Sequence, residues 1–121
     1  LGSMYNSTNP MPKWVDQIPD ALGMTKCGFV FYRMDQLDIM PPHVDHFDTY
    51  CRVFKVEREL VYRAIVFLED WKPGHYFEYD SRGIVNWKQG DYVIYSTDTP
   101  HAASNIGTSP RYTLQVTGIL K

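Results

Sequence analysis

In the stretch PPHVDHFDTY, residues 41 to 50, the pattern His-x-Asp occurs twice, as His43-Val44-Asp45 and as His46-Phe47-Asp48. Residues i and i+2 of a strand project from the same face, so either copy presents an imidazole nitrogen and a carboxylate oxygen to one point. Two donors of a metal site then come from one strand. A distant histidine on a facing strand completes a set of two histidines and one carboxylate, which leaves three coordination positions of a divalent ion open. The chain has four histidines, and His101, in STDTPHAASN, is the candidate. An isolated His-x-Asp arises readily by chance as a surface pair. It gains weight here because His101 follows Pro100 just after the apolar run GDYVIYS, and Arg111 opens a further apolar run ten positions later.

Strand parity separates the two copies. If His43 and Asp45 face inward on an unbroken strand, Phe47, Thr49, Cys51 and Val53 follow them into a mostly apolar lining. The other register buries His46, Asp48, Tyr50 and Arg52, polar groups that all need partners. Pro41-Pro42 holds the chain extended into His43. His43 and Asp45 are therefore the expected metal arm, with His46 and Asp48 facing solvent or the mouth of a substrate site. A loop at HFDT would weaken this argument.

The elements that must position these residues read as strands. CGFVFYRM, TYCRVFKV, LVYRAIVFL, HYFEYD, IVNW, DYVIYS and RYTLQVTGIL are rich in Val, Ile, Tyr, Phe and Thr, and WKPG, DSRG, KQGD, STDTP and IGTSP supply turn chemistry between them. Many short strands at near-regular spacing imply a mainly all-β chain, two antiparallel sheets facing each other as a jelly roll. Trp14 to Leu22 reads as a short N-terminal helical flank, interrupted by Pro19. The last strand poses a problem of coverage: Arg111, Thr113, Gln115 and Thr117 share one face, and Tyr112, Leu114 and Val116 the other. If the polar face lines a pocket, something else must cover the apolar one, the Trp14 segment or a partner chain. Leu1-Gly-Ser-Met4 reads as a cloning scar with the starting methionine, leaving residues 5 to 121 as one domain.

Composition narrows the classes. Of the 121 residues, 44% are hydrophobic and 15% aromatic, with no low-complexity tract, which implies a globular chain; the formal charge of −2 gives no general attraction to nucleic acid or anionic lipid. No apolar run approaches the roughly 20 residues needed to cross a bilayer, and the N-terminus lacks the pattern of a signal peptide, so a cytoplasmic protein with no membrane partner is expected. Cys27 and Cys51 are expected as reduced thiols. His75, after the turn WKPG, is expected to be exposed or to face substrate, and Trp71 and Trp87 to belong to the core.

Taken in order, PHVD, RAIVFLEDWKPG, WKQGDYVIYSTDTPH and RYTLQVTG resemble the 2-oxoglutarate/Fe(II)-dependent dioxygenases, in particular the prolyl-hydroxylase-like branch, over about residues 28 to 119. The resemblance implies a double-stranded β-helix in which His43, Asp45 and His101 hold Fe(II). It also implies 2-oxoglutarate and O2 as cosubstrates, and hydroxylation or demethylation of a substrate with release of succinate and CO2. It places Arg111 on the far carboxylate of 2-oxoglutarate, a role suited to a permanently charged planar fork, and Thr113 beside it. Phe67 stands where many relatives carry a tyrosine that helps bind 2-oxoglutarate; Tyr32 is the expected substitute. Arg63 is expected to be structural. The acidic ligand Asp45 argues against halogenation. The short chain has little material for a lid, which fits a peptide, protein or nucleic-acid substrate, with a small metabolite as the alternative. Two other classes stay open: a cupin-like metal-binding protein with a non-oxidative or binding role, and a metal-free jelly-roll binding module.

Overall fold

Period-two alternation governs the long strands, and the computed structural model shows how they assemble; it describes residues 11–121 together with the backbone of residues 3–6. Among these residues the strands are β1 (Ser3–Asn6), β2 (Met24–Met34), β3 (Ile39–His43), β4 (Val61–Phe67), β5 (His75–Tyr79), β6 (Arg82–Ile84), β7 (Tyr92–Ser96), β8 (His101–Asn105) and β9 (Arg111–Leu120). Two short helices accompany them, α1 (Ile18–Leu22) and α2 (Asp48–Phe54). A five-stranded sheet runs β1-β2-β9-β4-β7 and a four-stranded sheet β3-β8-β5-β6, and every strand pair is antiparallel. This is the expected jelly roll, a double-stranded β-helix. The reading of Leu1 to Met4 as a scar falls partly on Leu1 and Gly2, outside the described residues.

The core between the sheets takes the inward residues of both: Tyr32, Met34, Ile65, Phe67 and Tyr95 from the large sheet meet Phe77 and Ala103 from the small one, with Trp87 stacked on Phe67 at 4.0 Å. Trp71 lies half-buried against this cluster. Each fully buried large apolar side chain contributes ~2–3 kcal/mol by leaving water. The outer face of the large sheet carries a second cluster, Met24, Ala64, Val66, Leu114 and Val116, covered by Ile18 and Leu22 of α1. Trp14 meets Phe31 edge-on at 5.9 Å between ring centroids. The N-terminal flank thus covers the apolar side of β9 and frees its other face to line a pocket. The turn before β5 and the turn after β8 touch so closely that a Cβ on Gly107 would stand 2.0 Å from the Pro73 carbonyl oxygen, so that position requires glycine.

Two sequence expectations fail, each for a local reason. TYCRVFKV is not a strand: residues 48–54 form α2, entered and left through left-handed Phe47 (φ 60°) and Lys55 (φ 55°). Phe47, Tyr50 and Phe54 stand at helical spacing, Tyr50 stacks on Phe54 at 4.7 Å, and the Tyr50 hydroxyl donates to the Lys26 carbonyl at 2.7 Å. Tertiary contacts outweigh the β propensity of the segment. IVNW contributes only Ile84 to β6, because Asn86 turns left-handed (φ 60°) and ends any extended run. Conversely HAASN, with no β-branched residue, forms β8, because it sits between β3 and β5 and pairs with both.

Candidate metal centre

Two neighbouring strands of the small sheet and one loop build the site. β3 ends at His43 and β8 begins at His101, and the two histidines are direct partners in the antiparallel register. His101 therefore comes from an adjacent strand of the same sheet, not from one facing His43 across the sandwich. The register slips between Met40 and His43, where Pro41 and Pro42 have no N–H to give to the ladder. Beyond His43 the chain leaves the sheet, so Asp45 is a loop residue, and the parity argument for residues 47 to 53 does not apply. The loop still delivers the first copy: His43, Asp45 and His101 each offer a donor atom, and all lie within 4.8 Å of one another. His46 and Asp48 are exposed.

The donors fit a single ion. His43 Nε2 lies 3.4 Å from Asp45 Oδ1 and His101 Nε2 lies 3.3 Å from Asp45 Oδ2, against ~3 Å for two donors at right angles, each ~2.1 Å from a shared metal. His43 Nδ1 is 2.8 Å from the Pro41 carbonyl oxygen and His101 Nδ1 is 3.0 Å from that of Thr99. A carbonyl only accepts, so each Nδ1 carries the proton and donates, and each Nε2 lone pair is turned toward the centre. Burial works to raise the Asp45 carboxyl. Hydrogen bonding from His101 when its Nε2 carries a proton, a proton that a bound ion would replace, and the Arg63 guanidinium outweigh burial and hold Asp45 below the usual carboxylate range.

Two arginines hold the carboxylate arm. Arg63 donates to Asp45 Oδ2 at 3.2 Å, to Gln115 Oε1 at 3.1 Å and to Thr117 Oγ1 at 3.0 Å, and its guanidinium lies 5.0 Å above the Phe47 ring. Phe47 takes its left-handed backbone at a cost of ~1 kcal/mol, which this contact helps to offset. Arg58 donates to the carbonyls of Asp45 and His46 at 3.2 and 3.1 Å and to both carboxylate oxygens of Asp98 at 2.7 and 3.3 Å. It ties the loop that carries Asp45 to the turn that leads into His101.

The triad opens on a cavity of about 480 Å³ whose wall includes Tyr32, Arg63, Tyr95, Arg111 and Gln115. Arg111 is 4% exposed, and among the described residues its Nε and Nη1 have no partner. Its guanidinium stands 5.8 Å above the Tyr32 ring. Burial pulls its pKa down to about 10, with Tyr32 and Tyr95 opposing, so it is a cation at neutral pH. A buried cation with unmet donors in a cavity is chemically prepared for a carboxylate. Thr113 shares the inward parity, between Tyr32 and Phe67 in register, but it is fully buried and off the cavity wall, and its Oγ1 is unpartnered. Gln115 takes the wall position instead.

Sequence reasoning gave no signal for two of these residues and misplaced a third. Arg63, expected to be structural, holds Asp45 in place and stands in direct register with Thr117 on the polar face of β9. Arg58 gave no signal, because its role depends on where two distant loops meet. The Tyr95 ring lies tilted against His101, 4.9 Å between centroids, and among the described residues its buried hydroxyl has no partner. Burial pushes its pKa well up, so the hydroxyl keeps its proton. It is a second hydroxyl on the wall beside Tyr32, where Phe67, stacked in the core, offers none. His75 is not exposed: it is 3% accessible, stacks near Trp87, and its Nε2 donates to the Ser109 carbonyl at 2.7 Å. Both cysteines are free thiols. No helix among the described residues is long and apolar enough to cross a membrane.

No known protein family matches the sequence, and no curated protein does. Solved structures do. A protein from Thermotoga maritima described as a predicted oxalate decarboxylase aligns with 98% of this chain and 81% of its own, at 14% identity and a TM-score of 0.59. A cupin 2 conserved barrel domain protein from Salinispora arenicola aligns with 97% of this chain and 75% of its own, at 9% identity and a TM-score of 0.58. KdgF from Halomonas sp. aligns with 78% of this chain and 70% of its own, at 12% identity and a TM-score of 0.54. At these identities the likeness shows the fold: the chain is a double-stranded β-helix of the kind found in cupins. None of the three carries a description specific to 2-oxoglutarate-dependent dioxygenases.

Proposed function

We propose that the protein is a cupin-fold metal-binding protein in which His43, Asp45 and His101 hold one divalent first-row ion and Arg111 receives a carboxylate of a ligand in the same cavity. The observation that carries this reading is the convergence of three donors whose histidine protons are already given to the Pro41 and Thr99 carbonyls. An ion bound there supplies Lewis-acid and, if it is iron, redox chemistry at its open positions. The chain's own residues do the rest. Pro41 and Thr99 fix the tautomers, Arg63 orients Asp45, Arg111 offers a two-pronged grip on a carboxylate, and the protonated Tyr95 hydroxyl is free to donate to a ligand oxygen.

A finer reading is favoured by one observation, the buried and under-satisfied Arg111 in the cavity of the triad. On this reading the protein is an Fe(II)- and 2-oxoglutarate-dependent dioxygenase: 2-oxoglutarate, O2 and a substrate C–H give succinate, CO2 and the hydroxylated substrate, with demethylation following where the hydroxylated carbon is an N-methyl group. The substrate is a peptide, protein, nucleic acid or small metabolite. Anaerobic Fe(II) with 2-oxoglutarate should raise the melting temperature by ligand linkage, and succinate release across peptide, nucleobase and amino-acid pools should then reveal turnover. A shift without succinate from any pool would leave the non-oxidative cupin reading; no shift with either ligand would sink both readings.

A further inference from the structure

Beside the metal cavity lies a second hollow of about 540 Å³, lined by neither histidine of the triad nor by Arg111. Its walls are the middle of β2 (Gly28, Phe29 and Val30), the loop after Asp45, and α2, with Phe47, Tyr50, Val53 and Phe54 as the apolar side chains of the loop and α2. It shares Val30, Asp45 and Arg63 with the metal cavity, so a molecule lying in it reaches one of the three metal donors directly. None of its apolar side chains is buried, and Val53 is 63% exposed although it is large and apolar. Apolar groups gathered on one concave wall mark a binding surface. Gly28 keeps it open: a Cβ there would meet only the Phe54 ring edge, at 3.8 Å.

We propose that this hollow is the substrate's apolar subsite: it takes a hydrocarbon group, aromatic for preference because Phe47 and the stacked Tyr50–Phe54 pair line it, and so brings the carbon attached to that group beside the metal. The proposal deepens the metal-centre reading and rests on it for the word substrate, while the subsite itself is testable without it. The two cavities divide the ligand chemistry. Arg111 serves the carboxylate in one, and the hollow against α2 serves the apolar part in the other, with Asp45 and Arg63 at the junction.

Indole is a suitable probe, titrated into the full chain while backbone amide signals are followed by NMR. Shifts should concentrate at Gly28, Val30, Phe47, Val53 and Phe54. Mn(II) bound to the protein should broaden the indole proton signals, and His101→Ala should abolish that broadening while leaving indole affinity within twofold. Gly28→Leu should weaken indole at least tenfold with Mn(II) affinity unchanged, and Val53→Gln, a surface change on α2 that cannot prevent folding, should weaken it about threefold. No indole shifts, shifts centred instead on Trp87 and Val93, or affinity untouched by both variants would overturn the subsite. Indole binding with no Mn(II) effect in the wild type would overturn its junction with the metal. Failure of Mn(II) to bind, with indole binding intact, would instead count against the metal-centre reading alone.

Discussion

Replacing Arg111 with methionine should make the ligand-free protein more stable and, by the same change, insensitive to carboxylates. Arg111 is 4% exposed, its Nε and Nη1 have no partner, and burial pulls its pKa down to about 10. A fall of roughly 2 to 3 pH units, at about 1.4 kcal/mol each, is a penalty of about 3 kcal/mol on the folded cation. Because the folded pKa is the lower one, the unfolded chain holds the proton more tightly; the penalty is complete below about pH 10 and relaxes only as pH rises through that value. Methionine fills similar space without charge and loses a guanidinium–Tyr32 contact worth ~1 kcal/mol, so Arg111→Met should gain about 2 kcal/mol at pH 7. Chemical denaturation of wild type and variant measures this. With Mn(II) present and 2-oxoglutarate at about 100 times its Kd, the wild type should gain about 2.7 kcal/mol by linkage and the variant nothing. A variant that is less stable without ligand would mean that Arg111 has structural partners; one that keeps the ligand increment would mean that the carboxylate binds elsewhere.

Three further outcomes follow from the same geometry. Tyr95→Phe removes a buried hydroxyl with no partner, so stability should change by less than ~0.5 kcal/mol while 2-oxoglutarate affinity falls about tenfold, as calorimetry in the presence of Mn(II) would show; unchanged affinity would take the hydroxyl out of the site. Arg58→Gln should weaken metal about tenfold yet leave stability little changed, since its bond to Asp98 is exposed; equal metal affinity would show that the loop and the turn hold themselves in place. Burial lowers the His75 pKa, helped by Arg111 against the bond to Ser109, so its stabilising effect is full above about pH 6.5 and is lost as pH falls through the window below, where the unfolded chain takes up the proton first. Stability measured from pH 7.5 to 5 should fall more steeply for wild type than for His75→Gln, and parallel curves would exclude His75 as the source.

Much of the site was legible in the sequence because its chemistry is carried by residue type. A His-x-Asp, a second histidine and a downstream arginine are few enough to be found by spacing, and three antiparallel pairings, β2 with β9, β9 with β4 and β4 with β7, join runs rich in Val, Ile, Tyr and Phe. The coverage problem on β9 was visible too, as a strand with two usable faces, and its solution by Ile18 and Leu22 was among the options the pattern allowed. What was hidden depends on context. α2 has a strand's composition and a helix's contacts, and β8 has a loop's composition and two strand partners. The first His-x-Asp copy is the one that lies with His101, but the parity argument does not explain it, since the strand it assumed stops at His43 and a loop brings Asp45 back. Arg58 and Tyr95 matter through what the fold brings beside them, which no local pattern records. His75 illustrates the reverse: a histidine after a turn looked exposed, and Trp87 with the Ser109 carbonyl buries it.

Metal binding itself is the most direct test of the central claim, measured by anaerobic titration of the full chain with Co(II) or Fe(II) and followed by calorimetry and visible absorption. One ion should bind per chain, with binding abolished in Asp45→Ala and His101→Ala and retained in Asp48→Ala, the matching position in the second copy of the motif. Binding that survives Asp45→Ala or His101→Ala, or that disappears with Asp48→Ala, would place the ion elsewhere and contradict the account.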